Sequence, residues 1–254
     1  MSIFDFSFLG IHIAPTWYGL MYAIGFIACY EYIKKNGYIS TKDTDSLLLF
    51  VFLGVILGGR IGYVILYDFS YFLEHPMEIF ATWNGGMSFH GGAIGVIIAI
   101  FLFAWKKKYN VFDVSDPIVT ILPLALGLGR IGNYINQELL GFFPYSGPLA
   151  IEKNGISYFP STLLEASLEG GLLLIVMLVW KYFETKTGRK RGYASALFLG
   201  GYGIFRLFAE LFRLPDVQIG YLFSTDWITL GMMYTIPMML GSLVVFFFAR
   251  NLQR

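Results

Sequence analysis

Seven apolar stretches, each close to 20 residues, recur along the chain at 16–33, 46–67, 88–105, 117–136, 162–180, 192–212 and 227–249. A helix needs about 20 mostly apolar residues to cross the hydrocarbon core of a bilayer. The pattern predicts an all-α integral membrane protein, a seven-transmembrane-helix bundle formed by residues 1–254 as one membrane-embedded domain. Composition agrees, with 56% hydrophobic and 14% charged residues, where a soluble domain carries about 25% charged. That balance argues against a water-soluble enzyme and against a disordered chain. A net charge of +1 gives no electrostatic footprint for nucleic acid. The single cysteine, Cys29, permits neither an intramolecular disulfide nor a cysteine metal cluster. The three histidines, His12, His75 and His90, form no HExxH pair, so no metal site is expected.

The basic residues test this span count independently. Lys34, Lys35 and Lys42 follow the first span, and Lys106, Lys107 and Lys108 follow the third. Lys181, Lys186, Arg189, Lys190 and Arg191 follow the fifth, and Arg250 and Arg254 lie in the tail. The opposite segments hold only Lys153 and Arg213. By the positive-inside rule the N-terminus lies outside and the C-terminus in the cytoplasm, with short periplasmic segments. The opening MSIFDFSFLG lacks the basic start of a cleaved signal peptide, so the first apolar run reads as a retained span. Residues 68–87 read as an interfacial helix plus turn, and 137–161, rich in Gly and Pro, as a loop or small hairpin. No internal repeat is evident.

Charge in a bilayer centre costs about 2.5–3.5 kcal/mol per residue on insertion scales, so each ionisable residue within a span calls for an explanation. Gly54, Gly58 and Gly62 recur every four residues in the second span and form a face for close helix packing. Arg60, on another side of that helix, is either structural or an anion ligand. His90 lies among Gly85, Gly86, Gly91 and Gly92, where backbone or a ligand can approach closely. It is either a packed group or a proton-transfer group near neutral pH. In the fourth span, Arg130, Asn133 and Gln137 share a helical face. A guanidinium there suits a phosphate or carboxylate, or else a helix–helix ion pair with Glu138 or Glu210. Tyr202, Arg206, Glu210 and Arg213 form a polar stripe with surplus positive charge through the sixth span. Such a stripe faces the bundle interior or a water-filled cavity. Trp17 and Tyr18 read as interfacial aromatics, and Cys29 as an inert, packed thiol. A lipid phosphate at the outer leaflet is the simplest anion for these arginines.

Five motifs, in order, resemble the prolipoprotein diacylglyceryl transferase family: WYGLMY at 17–22, GGRIGYV at 58–64, SFHGGAIG at 88–95, GLGRIGNYINQELLG at 127–141 and YGIFRLFAELFRLPDVQIGYLF at 202–223. The chain departs from the family pattern in three places. Segment 142–159 is short. FPSTLLE at 159–165 stands for an HPSQLYE-like motif, with Phe159, Thr162 and Leu164 at the changed positions. Met232 replaces a glutamine.

The resemblance implies an enzyme of the bacterial cytoplasmic (inner) membrane, multi-pass and monomeric. Phosphatidylglycerol would donate a diacylglyceryl group to the lipobox cysteine of a preprolipoprotein signal peptide, giving a thioether and a glycerol phosphate. Membrane lipid and the signal peptide are then the partners, and no cofactor or metal is required. On this reading His90, Arg130 and Arg206 are catalytic. Arg130, Tyr18, Asn133, Tyr202 and Arg60 bind substrate, and Glu138, Gly141 and Glu210 support them. Two other readings stay open, a lipid or anion transporter and a catalytically silent lipid-binding relative.

Overall fold

A computed structural model describes residues 3, 5–8, 11–13, 15–66, 69–82, 85–215 and 220–253. Residues 216–219 of the last motif, and 68, 83 and 84 of the 68–87 segment, lie outside the described residues, as does the side chain of His12. The elements in order are β1 (Phe6–Phe8), β2 (Ile11–Ile13), α1 (Trp17–Asn36), α2 (Thr41–Leu66), α3 (Phe69–Glu74), α4 (Phe89–Lys107) and α5 (Val111–Ile135). They continue with β3 (Ile151–Lys153), β4 (Ile156–Tyr158), α6 (Ser161–Glu165), α7 (Leu173–Thr187), α8 (Tyr193–Glu210) and α9 (Leu230–Asn251). A 3-10 turn covers Pro76–Phe80, and a π-helical segment, Ala166–Leu172, joins α6 to α7. Both strand pairs are antiparallel hairpins. The one at 151–158 is the small hairpin expected of the segment 137–161, and α3 with its 3-10 turn is the expected helix plus turn. The N-terminal hairpin was not anticipated.

Among the described residues, five helices are long and apolar enough to cross a membrane: Thr41–Ile65, His90–Lys107, Val111–Ile135, Ser161–Thr187 and Leu230–Asn251. Each coincides with an expected span. Helices also occupy the first and sixth expected spans, but α1 is diluted by Tyr18, Tyr22, Tyr30 and Tyr32, and α8 by Arg206 and Glu210. Large apolar side chains such as Leu57, Ile94, Trp105, Ile175 and Val244 are exposed, a surface suited to lipid rather than water.

The chain forms two compact units, Ile33–Ser115 and the remainder. In the first, α2 and α4 meet along the glycine face. A Cβ on Gly54 would stand 2.6 Å from the Gly95 carbonyl oxygen, and one on Gly62 2.6 Å from Gly91 Cα. The glycines therefore serve packing, as their spacing implies. Asp43 joins the start of α2 to the end of α4, through Lys107 Nζ at 2.7 Å and the Tyr109 hydroxyl at 2.8 Å.

In the second unit, Leu173, Met177, Ala194 and Phe198 form a buried cluster between α7 and α8. The N-terminus of α8 is held by Asp116 of α5, which is 4% exposed. Its carboxylate accepts the Gly192 N–H at 2.8 Å, the Ser195 N–H at 3.1 Å and the Ser195 hydroxyl at 2.7 Å. An anionic acceptor satisfies the orphan donors there and complements the helix dipole. Helices α5 and α6–α7 cross at glycines: a Cβ on Gly127 would lie 2.9 Å from Gly170 Cα. That crossing sets the register of the charged residues next to it.

Candidate active site

Arg130 stands one turn beyond Gly127 on α5, and Glu169 immediately precedes Gly170, so the glycine crossing brings guanidinium and carboxylate together. Arg130 Nε lies 2.8 Å from Glu165 Oε2, and its Nη2 lies 3.6 Å from Glu169 Oε2. Arg206, from α8, reaches the same two carboxylates. Its Nη1 is 3.0 Å from Glu165 Oε2 and 3.4 Å from Glu169 Oε1. Its Nη2 pairs with Glu210 Oε2, one turn on, at 2.5 Å. Arg213 closes the group, with Nη1 4.0 Å from Glu165 Oε1. Glu165 and Glu169 are both fully buried.

Three arginines thus face three carboxylates, so the surplus positive charge of the stripe is balanced within the cluster. The sixth-span stripe is neutralised from the fifth. Glu165, which the sequence shows only as the retained end of the FPSTLLE motif, and Glu169, which it does not single out, complete the cluster. Their signal was two carboxylates four residues apart in an apolar span. The π-helical segment shifts Glu169 relative to a regular helix, and such widened turns recur at functional sites.

Of the other expected residues, Tyr202, Asn133, Glu138, Tyr18 and Gly141 belong to the same unit as this cluster. Tyr202, one turn before Arg206 on α8, lies in the field of Glu169, Arg130, Arg206 and Glu165. Asn133 is buried and donates from Nδ2 to Glu138 Oε2 at 2.8 Å, and Asn136 Nδ2 donates to Glu138 Oε1 at 3.2 Å. Glu138 is therefore the partner of Asn133 and not of Arg130. Gln137 leaves the shared face because α5 ends at Ile135 and Gln137 takes a left-handed φ of 56°. Tyr18 packs over α5: a Cβ on Gly132 would be 3.0 Å from Tyr18 Cα. Its hydroxyl donates to that of Tyr22 at 3.1 Å, and it feels the charges of Arg130 and Glu138.

Gly141 bridges to Arg213, and a Cβ there would press on the carbonyl oxygens of Phe159 (2.5 Å) and Phe212 (2.8 Å). Only glycine admits backbone on both sides. Phe159, one of the departures from the family pattern, stacks on Phe142 with ring centres 4.8 Å apart.

The other unit holds Arg60 and His90. Arg60 is 6% exposed. Its Nε donates to the carbonyl of Ile79 at 2.8 Å, Nη1 to those of Gly85 (2.7 Å) and Gly86 (3.1 Å), and Nη2 to those of Glu78 (2.5 Å) and Ala81 (3.4 Å). His90 is half-buried in the first turn of α4. Ser88 caps that helix by accepting the Gly91 N–H at 3.2 Å, and its own N–H donates to the Gly59 carbonyl at 2.8 Å.

A guanidinium carries five donors in a planar fork, enough to hold a carboxylate on one edge and a phosphate on another. Two such groups, paired with buried carboxylates, are held in fixed orientation in a low-dielectric interior. The fold and this charged core define a multi-pass membrane protein built around a buried arginine–carboxylate cluster.

The profile of the prolipoprotein diacylglyceryl transferase family matches residues 6–248. Relatives named phosphatidylglycerol–prolipoprotein diacylglyceryl transferase include one from Hydrogenovibrio crunogenus, 42% identical over 92% of this chain and 91% of the relative. Others come from Oleidesulfovibrio alaskensis, 43% identical over 92% and 88%, and from Bordetella avium, 44% identical over 92% and 90%. The chain belongs to the prolipoprotein diacylglyceryl transferase family.

Proposed function

We propose that this chain is a phosphatidylglycerol–prolipoprotein diacylglyceryl transferase. Its relatives carry that name over most of both chains. The observation that supports the chemistry is the convergence of Arg130 and Arg206 on shared buried carboxylates. A phosphodiester lipid brings one negative charge, and Arg130 and Arg206 hold its phosphate, with Tyr18, Asn133 and Tyr202 hydrogen-bonding the headgroup.

The sulfur of the lipobox cysteine attacks the diacylglyceryl carbon bonded to the phosphate oxygen. The C–S bond forms, the C–O bond breaks, and the bonding pair leaves with glycerol phosphate. The thiol, with a free pKa of about 8.5, reacts as thiolate, and His90 takes its proton. The arginines stabilise the charge that grows on the departing phosphate. Glu138, Gly141 and Glu210 hold this machinery in place. Glu210 accepts the Thr229 hydroxyl at 3.0 Å, which anchors it at the start of α9.

In this reading residues 1–254 act as one membrane-embedded domain with seven crossings, the N-terminus outside and the C-terminus in the cytoplasm. The family match across 6–248 supports the single domain, and the alternation of basic residues supports the orientation. The protein resides as a monomer in the bacterial inner membrane.

The test uses purified protein, phosphatidylglycerol and a peptide bearing a lipobox cysteine, read by mass spectrometry for a diacylglyceryl adduct, with a Cys→Ser peptide as control. A thiol-dependent adduct is expected. Lipid binding without an adduct would overturn the transferase reading in favour of a transporter or a silent relative, and would direct attention to Phe159, Thr162 and Leu164.

A further inference from the structure

Arg60 has five N–H donors, and five backbone carbonyls, of Glu78, Ile79, Ala81, Gly85 and Gly86, accept from it. A guanidinium so engaged holds protein rather than substrate. The carbonyls belong to the end of the 3-10 turn with its C-cap Ala81, and to Gly85 and Gly86, which stand just ahead of α4. Rings of Phe72 and Tyr63 cover the guanidinium, with centroids 5.1 and 5.9 Å from its central carbon. Gly86 has a φ of 74°, and a Cβ there would lie 2.6 Å from Tyr63 Cε1 and 2.8 Å from Arg60 Nη1. The backbone at Gly86 is therefore moulded onto the arginine.

Two residues further on, the Ser88 N–H is tied to Gly59, the neighbour of Arg60, and Ser88 caps α4. On the far side of His90, Gly91 is wedged against α2: its Cβ would fall 2.7 Å from Gly62 Cα. The backbone of His90 is thus pinned on both flanks by α2, and Arg60 anchors the loop that delivers it.

We propose that Arg60 is a positioning residue for His90, in place of the substrate-binding role the family resemblance implies. The proposal rests on the reading of His90 as the proton acceptor. Losing the clamp lets the Gly85–Ser88 loop drift, and small displacements of a reacting group cost up to about 100-fold in rate. An anion ligand would behave differently, because its loss weakens lipid binding and raises KM.

The experiment measures kcat and KM for phosphatidylglycerol in Arg60→Lys, Gly86→Ala, His90→Gln and the doubles with His90→Gln, each per folded molecule. Gly86→Ala disturbs the clamp without touching its charge, which guards against a misfolded Arg60 variant. We expect Arg60→Lys and Gly86→Ala each to lower kcat by about 10-fold or more, with KM within about twofold. Neither should lower it further once His90 is Gln, because residues acting through one group are not additive.

A raised KM with kcat unchanged in Arg60→Lys and a silent Gly86→Ala would overturn the proposal and restore the ligand role. Losses that multiply with that of His90→Gln would also overturn it. If His90→Gln alone keeps the full kcat, the proton-acceptor reading falls and the positioning role falls with it, an outcome distinct from the other two.

Discussion

Glu165 Oε2 lies 2.8 Å from Arg130 Nε, in a carboxylate that is wholly buried. The same oxygen also meets Arg206 at 3.0 Å. One oxygen atom therefore fixes the spacing of two guanidiniums that come from different helices. Removing one partner of a buried ion pair costs about 3–5 kcal/mol, because a charge is left without compensation. Glu165→Gln is expected to lower thermal stability on that scale and to lower transfer at least tenfold. The double variant Glu165→Gln/Arg130→Gln should recover stability but not activity. A calorimetric cycle with parallel adduct assays checks both, and full activity in Glu165→Gln would discount the shared counter-ion.

Arg130→Lys and Arg206→Lys keep the charge and lose the planar fork. Oxyanion-type donors are worth about 10²–10³ in turnover, so each change should reduce kcat by about that factor. Whichever arginine grips the ground-state phosphate will also show a raised KM for phosphatidylglycerol. Turnover within a factor of two in both variants would remove the two arginines from the chemistry.

Asn133 and Glu138 act as a pair through the 2.8 Å hydrogen bond. Asn133→Ala and Glu138→Gln should each weaken transfer, and the double variant should be no worse than the poorer single one. Multiplicative losses in the transfer assay would separate their roles.

Asp116 is remote from this chemistry in sequence and caps α8 through three hydrogen bonds. Asp116→Ala should cost about 0.5–2 kcal/mol of stability and leave the activity of folded enzyme unchanged. Denaturation midpoints together with initial rates test this, and a rate loss exceeding the folded fraction would show that the cap tunes Arg206.

The long helices, their places and the residues that carry charge into them were legible from hydropathy and residue order alone. Lipid sets span length and bars unpaired backbone groups, so hydropathy over about 20 residues is enough to place a helix. The i+4 glycines of α2 were legible as packing for a similar reason, since only close backbone contact explains a small residue on every turn of one face. Which charge meets which was not legible. Arg130 could face Glu138, Glu210 or an anion on sequence grounds, and in the structure Glu165 and Glu169 hold it. That choice depends on the Gly127–Gly170 crossing and the π-helical turn, which set one helix's register against another. Arg60 makes the same point from the other unit. Its charge within an apolar span was evident, but only the folded loop supplies the five carbonyls that occupy it. Periodicity reports the face of a helix, and tertiary packing decides what that face touches.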